Sequence, residues 1–274
     1  MNAEDYFISL FSKSTALIGD DGAITGALVY SKDAFFENVH FKRDWMSLEQ
    51  IAYRAMMVNI SDAVAMNAKP LYALLAVAMP SSFKSVQMRQ LSAGFHRAAL
   101  EYGVEIIGGD TISNCKLDIT VTIVSTTSKP LRRRGLKEGD LLAHTGRLGR
   151  SGKELRYLLA GRRVHASSKF ISFSLRDTFV ADSTGALTCG MDISDGLFSD
   201  LQKLSRANGL GYRFFESIAK REGCSGEEYE MLIGFSQRKR KKMIRLAQKN
   251  RTPLTIFAQA RRGKFTNRCK AHHF

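Results

Sequence analysis

The chain has 274 residues, 44% hydrophobic and 24% charged, enough apolar material for one large domain or two smaller ones. Its formal charge of +15 is concentrated: residues 235–274 carry 13 Lys and Arg and no acid, whereas the first 234 hold 28 basic and 26 acidic groups. The longest apolar run, 71–79, has nine residues, well below the ~20 that cross a bilayer, so no membrane span is expected. The acidic start Met1-Asn2-Ala3-Glu4-Asp5 lacks a secretory signal pattern, and Cys115, Cys189, Cys224 and Cys269 lie far apart without a C-x-x-C pair. These features predict a cytoplasmic protein with small, semi-buried cysteines, and argue against a disulfide framework or zinc ribbon.

In chain order, residues 22–36 read as a turn and a strand with the apolar body Ala27-Leu28-Val29-Tyr30. Ser47-Leu48-Glu49-Gln50 matches a capping box, and the helix it opens carries Ile51, Ala55, Met56, Ile60 and Val64 near one face. Lys69-Pro70 ends that helix, and the run 71–79 reads as a strand buried on both faces. A second helix is predicted over 85–102, stopped by Gly103, then a short strand over 104–107 that runs into Gly108-Gly109-Asp110-Thr111. Leu117, Ile119, Val121 and Ile123 alternate with polar residues, as in a half-buried strand. Residues 129–140, with a proline, two glycines and a charge run, mark the best boundary. It separates an N-terminal domain, 1–130, from a C-terminal domain, 131–274, that ends in the basic segment 235–274. Beyond it, 141–144 reads as a strand, 146–152 as a Gly-rich turn before a helix from Lys153, and 190–196 as a strand end turning into a helix over 197–207. Strands interleaved with helices imply an α/β (α+β) layer arrangement.

The Gly-rich turn fails the P-loop pattern, because Gly146 and Gly152 are one residue too far apart and Lys153 precedes Glu154. A backbone cradle for phosphate stays open there, beside a plain strand–helix turn. The aspartates carry the stronger signal. Asp20-Asp21-Gly22, Ser31-Lys32-Asp33, Asn59-Ile60-Ser61-Asp62, Gly108-Gly109-Asp110-Thr111 and Asp192-Ile193-Ser194-Asp195-Gly196 set carboxylates beside Gly or Ser near element ends. Each alone is ordinary turn or cap chemistry. Together they form a hard-oxygen donor set of the kind that holds Mg²⁺, usually with phosphates.

These motifs, with Asn38-Val39-His40-Phe41 and Gly226-Glu227-Glu228-Tyr229-Glu230, follow the order and approximate spacing of bacterial thiamine-monophosphate kinases. The chain resembles that family from about residue 18 to 232; looser forms of S-D-G-L and G-G-D-T occur across the aminoimidazole-ribonucleotide-synthetase-like superfamily. The resemblance implies a two-domain fold, its N-terminal domain forming a homodimer through its sheet and its C-terminal domain closing over ATP. It further implies direct transfer of the ATP γ-phosphoryl group to thiamine monophosphate, giving thiamine diphosphate, with several Mg²⁺ ions. By the same resemblance, Asp21, Ser31, Lys32 (through its main chain), Asp33, Asp62, Asp110, Asp192 and Asp195 would hold metal. Gly109, Asp110, Arg133 and Ser194 would contact the nucleotide, and His40 and Glu227 the substrate. Asp62, Asp110 and Asp195 would be catalytic.

The chain departs from the family pattern at Lys32, where Thr is usual, and at Ser225 and Glu228, where Gly and Asp are usual. His273-Phe274 matches the family's ending, but Ala271 stands at the position of its aromatic. The motifs therefore support phosphoryl transfer more strongly than thiamine selectivity. Two other readings compete. One is another ATP-using superfamily enzyme, such as an aminoimidazole-ribonucleotide or selenophosphate synthetase; no N-terminal cysteine resembling the latter's reactive residue is visible. The other is a nucleic-acid binder using Arg238, Lys241, Lys242, Arg245 and Lys249 at helical spacing. That basic face reads first as a solvated one, so nucleic acid is not the expected partner.

Overall fold

The computed structural model describes residues 3–12, 15, 17–267, 269 and 270; Ala271 and the ending His273-Phe274 lie outside them. After α1 (Ala3–Ser12), β1 (Ala23–Thr25) and β2 (Leu28–Phe36) form a hairpin. Then come α2 (Leu48–Ala65), β3 (Lys69–Pro80), α3 (Ser85–Tyr102), β4 (Glu105–Asn114) and β5 (Asp118–Thr126). These strands make one sheet in the order β1-β2-β5-β3-β4, antiparallel except for the β3–β4 pair. The second half runs β6 (Leu141–Thr145), α4 (Arg150–Leu159), α5 (Asp177–Ser183), β7 (Leu187–Asp192), α6 (Leu197–Asn208) and β8 (Leu210–Phe214). It continues through α7 (Lys220–Gly223), β9 (Met231–Phe235), a 3-10 turn over Gln237–Lys239, α8 (Arg240–Lys249) and β10 (Leu254–Arg262). Its strands form an antiparallel sheet ordered β7-β9-β6-β10-β8. No helix among the described residues is long and apolar enough to cross a membrane.

The helix α2 organises the molecule. Its start is the expected capping box: Ser47 Oγ accepts the Gln50 N–H at 3.2 Å, and Gln50 Oε1 accepts the Ser47 N–H at 2.9 Å, an arrangement worth about 1 kcal/mol. The sequence suggested one apolar face, but residues 51–61 of α2 are all buried. The cause is position: the first sheet and α3 cover one side, and Phe170, Phe173 and Tyr229 from the second half belong to the same core. At Gly94 of α3, a Cβ would lie 2.1 Å from the Glu49 carbonyl oxygen, so only glycine lets α3 close onto α2.

Three expectations need correction. The strand β3 is covered on one face only; Tyr72 and Leu74 are 40% and 39% exposed on the other. An unbroken apolar run cannot say whether both faces are covered within one chain. The basic segment 235–274, set apart in the sequence by its charge, is built into the fold, since β10 lies between β6 and β8 in the second sheet. Within the segment, α8 buries Met243 and Ala247 and turns Lys241 and Lys242 to solvent, and Arg238 is exposed on the 3-10 turn before it. Finally, Cys224 and Cys269 form a disulfide, with Cα atoms 5.6 Å apart, leaving Cys115 and Cys189 free. After β10 the chain returns along α6, where Asn267 bonds Gln202 and Ser199, and this non-local path brings the two sulfurs together.

Candidate active site

Five of the aspartates expected from the motifs converge. Asp21 comes from the turn before β1, Asp33 from β2, Asp62 from the last turn of α2, Asp192 from the end of β7, and Asp195 from the turn into α6. All five line a cavity of about 310 Å³ with Arg133, Ser194 and Lys203. One carboxylate oxygen from each of Asp21, Asp62 and Asp192 lies within 4.8 Å of the others. Burial, joined by the charges of Asp33, Asp192 and Asp21, pushes the Asp62 carboxyl well above its usual range. Burial and the Asp21 charge do the same to Asp192. Asp21 is also raised by burial, against the opposing pull of Arg133.

Such crowding is costly without a counter-charge. The donor set is all oxygen, with neither His nor Cys among the three converging groups. Asp21 Oδ2 is buried without a hydrogen-bond partner among the described residues. Both facts fit a hard divalent cation such as Mg²⁺.

Helix α2 sets the cluster's geometry. Asn59 Oδ1 accepts the backbone N–H of Asp33 at 2.6 Å, and Ser61 Oγ donates to Asp192 Oδ2 at 2.7 Å. Ser31, expected among the metal ligands, donates its buried hydroxyl to the Asn59 carbonyl at 3.2 Å, docking β2 on α2. The Lys32 ammonium reaches Thr120 and Thr122 across the outer sheet face, each at 3.4 Å. That leaves its main chain on the side of the carboxylates.

Asp110 is not brought to the cluster. Ala34, Thr120, Ala76 and Asp110 form one row across β2, β5, β3 and β4, so Asp110 stands three strand spacings, about 14 Å, from the strand of Asp33. Residues in one row share a face, and Asp33 points to the other. Asp110 and Gly109 are thus exposed on the edge strand β4.

Arg133 joins the cavity through Asp21, whose Oδ1 accepts from Nε at 3.0 Å and also from the terminal nitrogen. Asp20 holds this arginine's backbone N–H at 2.8 Å and the Arg132 side chain at 3.2 Å. Lys203 was not foreseen: its ammonium lies 2.5 Å from Asp195 Oδ2 and 3.0 Å from Asp200 Oδ1. The Asp200–Lys203 spacing, one turn apart just after Asp195, was the available signal. Burial, against the pull of Lys203, lifts the Asp200 carboxyl to about 6.

His40, Ser194 and Glu227 border both this cavity and a second one of about 660 Å³, walled by Phe41, Trp45, Leu155 and Phe170. His40 Nδ1 accepts the Phe36 N–H at 3.0 Å, so its neutral ring carries hydrogen on Nε2. The Glu227 N–H donates to the Ser194 carbonyl at 2.6 Å. An acidic pocket thus opens beside a larger, partly aromatic one, with a carboxylate and an imidazole on the shared wall.

Residues 19–127 match the family model for AIR synthase related protein, N-terminal domain. The chain is 32% identical to the thiamine-monophosphate kinase of Bacillus subtilis (strain 168) over 219 residues, 73% of this chain and 67% of that protein. The chain belongs to the thiamine-monophosphate kinase family. It spans about two thirds of the length of the curated relatives it matches. The solved structure of AaThiL complexed with AMPPCP and TMP superposes with a TM-score of 0.85 at 23% identity, covering 97% of this chain and 94% of that one. Hydrogenase maturation protein HypE in complex with ATP shares the fold too, with a TM-score of 0.71 at 16% identity over 96% of this chain and 87% of that one. Fold alone does not separate the kinases from HypE; sequence identity does.

Seen against the family pattern, the two departures beside Glu227 touch each other. Ser225 Oγ donates to Glu228 Oε1 at 2.6 Å, and the same oxygen accepts the N–H groups of Gly149 and Ser151 at 2.8 and 3.2 Å. Gly152 donates its N–H to Ser225 Oγ at 2.9 Å. The possible phosphate cradle at 146–152 is therefore filled by the chain's own carboxylate, at the N-terminus of α4. Beneath it, Lys169 bridges Glu228 and Glu230 at 3.0 and 2.9 Å. Burial works to raise the Glu230 carboxyl, but Arg176 and Lys169 outweigh it and hold it below its usual range. At Gly146, with φ +59, a Cβ would run into that carboxylate.

Proposed function

We infer that the chain transfers the γ-phosphoryl group of ATP to thiamine monophosphate, giving thiamine diphosphate, as an Mg²⁺-dependent homodimer of the cytoplasm. One observation carries this reading: an acidic cavity and a ring-sized cavity meet at His40, Ser194 and Glu227. The acceptor is itself a phosphate, largely ionised at pH 7 because its second pKa is about 6, so no strong general base is required. An acceptor oxygen bonds the γ-phosphorus as the bond to the β–γ bridging oxygen of ATP breaks, and ADP leaves with that electron pair.

Asp21, Asp33, Asp62, Asp192 and Asp195 would hold Mg²⁺, whose charge offsets the repulsion between two polyanions. Arg133 and Ser194 would meet the nucleotide phosphates. Glu227 offers a negative charge to the cationic thiazolium, and Phe41, Trp45 and Phe170 offer ring faces to the same end. Lys203 keeps Asp195 in place and adds a fixed positive charge to the cavity.

The homodimer rests on the outer face of the first sheet, where Leu28, Tyr30, Tyr72, Leu74 and Ile112 are exposed together. Asp110 lies on that same face, so a second copy docked there would meet it. The division into 1–130 and 131–274 follows the assignment of strands to the two sheets. In a reducing cytoplasm the Cys224–Cys269 pair would stand as two thiols.

The test is purified protein with ATP, Mg²⁺ and a panel of acceptors, scored for both ADP and the phosphorylated product. Thiamine diphosphate formed in step with ADP is expected. ADP without thiamine diphosphate, in the presence of thiamine monophosphate, would overturn the reading.

A further inference from the structure

Arg54 lies midway along α2 with no exposed surface. A buried guanidinium is tolerated only when it is partnered. Its Cζ lies 4.9, 5.2 and 5.6 Å from the ring centroids of Phe170, Phe173 and Tyr229, and the last two rings stack 4.4 Å apart. One terminal nitrogen donates to the Lys169 carbonyl at 3.3 Å, and the other donates to Glu227 Oε2 at 2.9 Å. All of these partners come from the second half of the chain. Arg54 itself shares a rigid helix with Asn59, Ser61 and Asp62, which shape the acidic cluster.

The loop it holds is an unusual one. Glu227 and Tyr229 have φ of 55° and 49°, left-handed values that cost free energy at non-glycine positions. Their N–H groups are pinned to Ser194 and Ile193 at 2.6 and 2.9 Å. Those bonds fix the backbone but not the carboxylate at the tip of a flexible side chain. The Arg54 contact fixes that tip and leaves Oε1 for a ligand.

We propose that Arg54 is a positioning residue for the acceptor end of the reaction: through one helix it sets the place of the Glu227 carboxylate relative to the acidic cluster. The proposal rests on the reading that Glu227 meets thiamine monophosphate. A rigid planar fork inside an aromatic cage suits this task, because it fixes direction as well as charge.

The experiment compares Arg54→Met, Arg54→Lys, Glu227→Gln and the double variant Arg54→Met/Glu227→Gln by KM for each substrate, kcat and thermal midpoint. Loss of a charge-assisted hydrogen bond predicts that Arg54→Met raises the KM for thiamine monophosphate about ten- to hundred-fold. The KM for ATP should stay near the parent value, and Arg54→Lys should recover part of the loss. In the Glu227→Gln background, Arg54→Met should add far less than it does alone. Equal rises in both KM values, or effects that multiply in the double variant, would overturn the proposal. If Glu227→Gln alone leaves the KM for thiamine monophosphate unchanged, the reading of Glu227 falls and takes the proposal with it. A raised KM in Glu227→Gln with none in Arg54→Met overturns the role of Arg54 alone. Where Arg54→Met does not fold, Arg54→Lys carries the test: a KM rise confined to thiamine monophosphate supports the proposal, and no rise overturns it.

Discussion

Ser61 Oγ lies 2.7 Å from Asp192 Oδ2, a buried hydrogen bond that ties the end of α2 to the end of β7. It orients one carboxylate of the acidic cluster from the residue adjacent to another, Asp62. Removing such an orienting partner commonly costs a metal site about ten-fold or more in affinity. Ser61→Ala should therefore raise the Mg²⁺ concentration for half-maximal activity by about that factor, with a small change in kcat at saturating metal. An MgCl₂ titration of activity checks this, and an unchanged half-point would detach Ser61 from the metal site.

The crowded aspartates also set the pH dependence of stability. Asp62 and Asp192 sit well above their usual 3.8, and Asp200 reaches about 6. These groups hold protons in the folded state that the unfolded chain has already released. Stability should then fall as pH rises from about 4 through the folded values. Glu230 acts oppositely, because its lowered value contributes stability that is lost only as pH falls below its usual 4.5. Thermal scans in EDTA should thus give a lower midpoint at pH 8 than at pH 5.5, and Mg²⁺ should raise the midpoint more at pH 8. Equal midpoints in EDTA, or an Mg²⁺ effect confined to pH 5.5, would contradict this.

The Ser225–Glu228 contact makes the two departures beside Glu227 interdependent. Glu228→Asp alone should pull the carboxylate from the Gly149 and Ser151 N–H groups, and Ser225→Gly alone should strip it of a donor. Each should lower stability by about 1–3 kcal/mol. Together they should cost less than their sum, by about 1 kcal/mol or more. Denaturant unfolding of the four proteins measures this coupling; strict additivity would show that the contact is incidental.

Leu74 is a direct probe of the open sheet face. Sedimentation should find the parent protein dimeric and Leu74→Arg monomeric, since a charge there would be buried unpaired at the interface. A monomeric parent would remove the proposed homodimer.

Much of the local structure was legible before any coordinates. The capping box at Ser47, the helix 85–102 with its left-handed stop at Gly103, and the alternation in β5 all depend on neighbours in sequence. Five of the cluster's aspartates were legible as well, because each sits in a short Gly- or Ser-flanked motif. What escaped was set by distant partners. The open face of β3, the central place of β10, the Cys224–Cys269 pair and the carboxylate filling the Gly-rich turn all depend on where the chain returns. Lys203 and Arg54 were not singled out, because only the fold sets them against carboxylates. The remoteness of Asp110 followed from strand register, which no motif records.

The central claim is that the acidic cluster performs Mg²⁺-dependent phosphoryl transfer to thiamine monophosphate. The most direct test compares the parent protein with Asp62→Asn, using ATP, Mg²⁺ and thiamine monophosphate, with thiamine diphosphate quantified and folding checked by circular dichroism. The account predicts product from the parent and almost none from a folded Asp62→Asn. Undiminished thiamine diphosphate from the variant would contradict it.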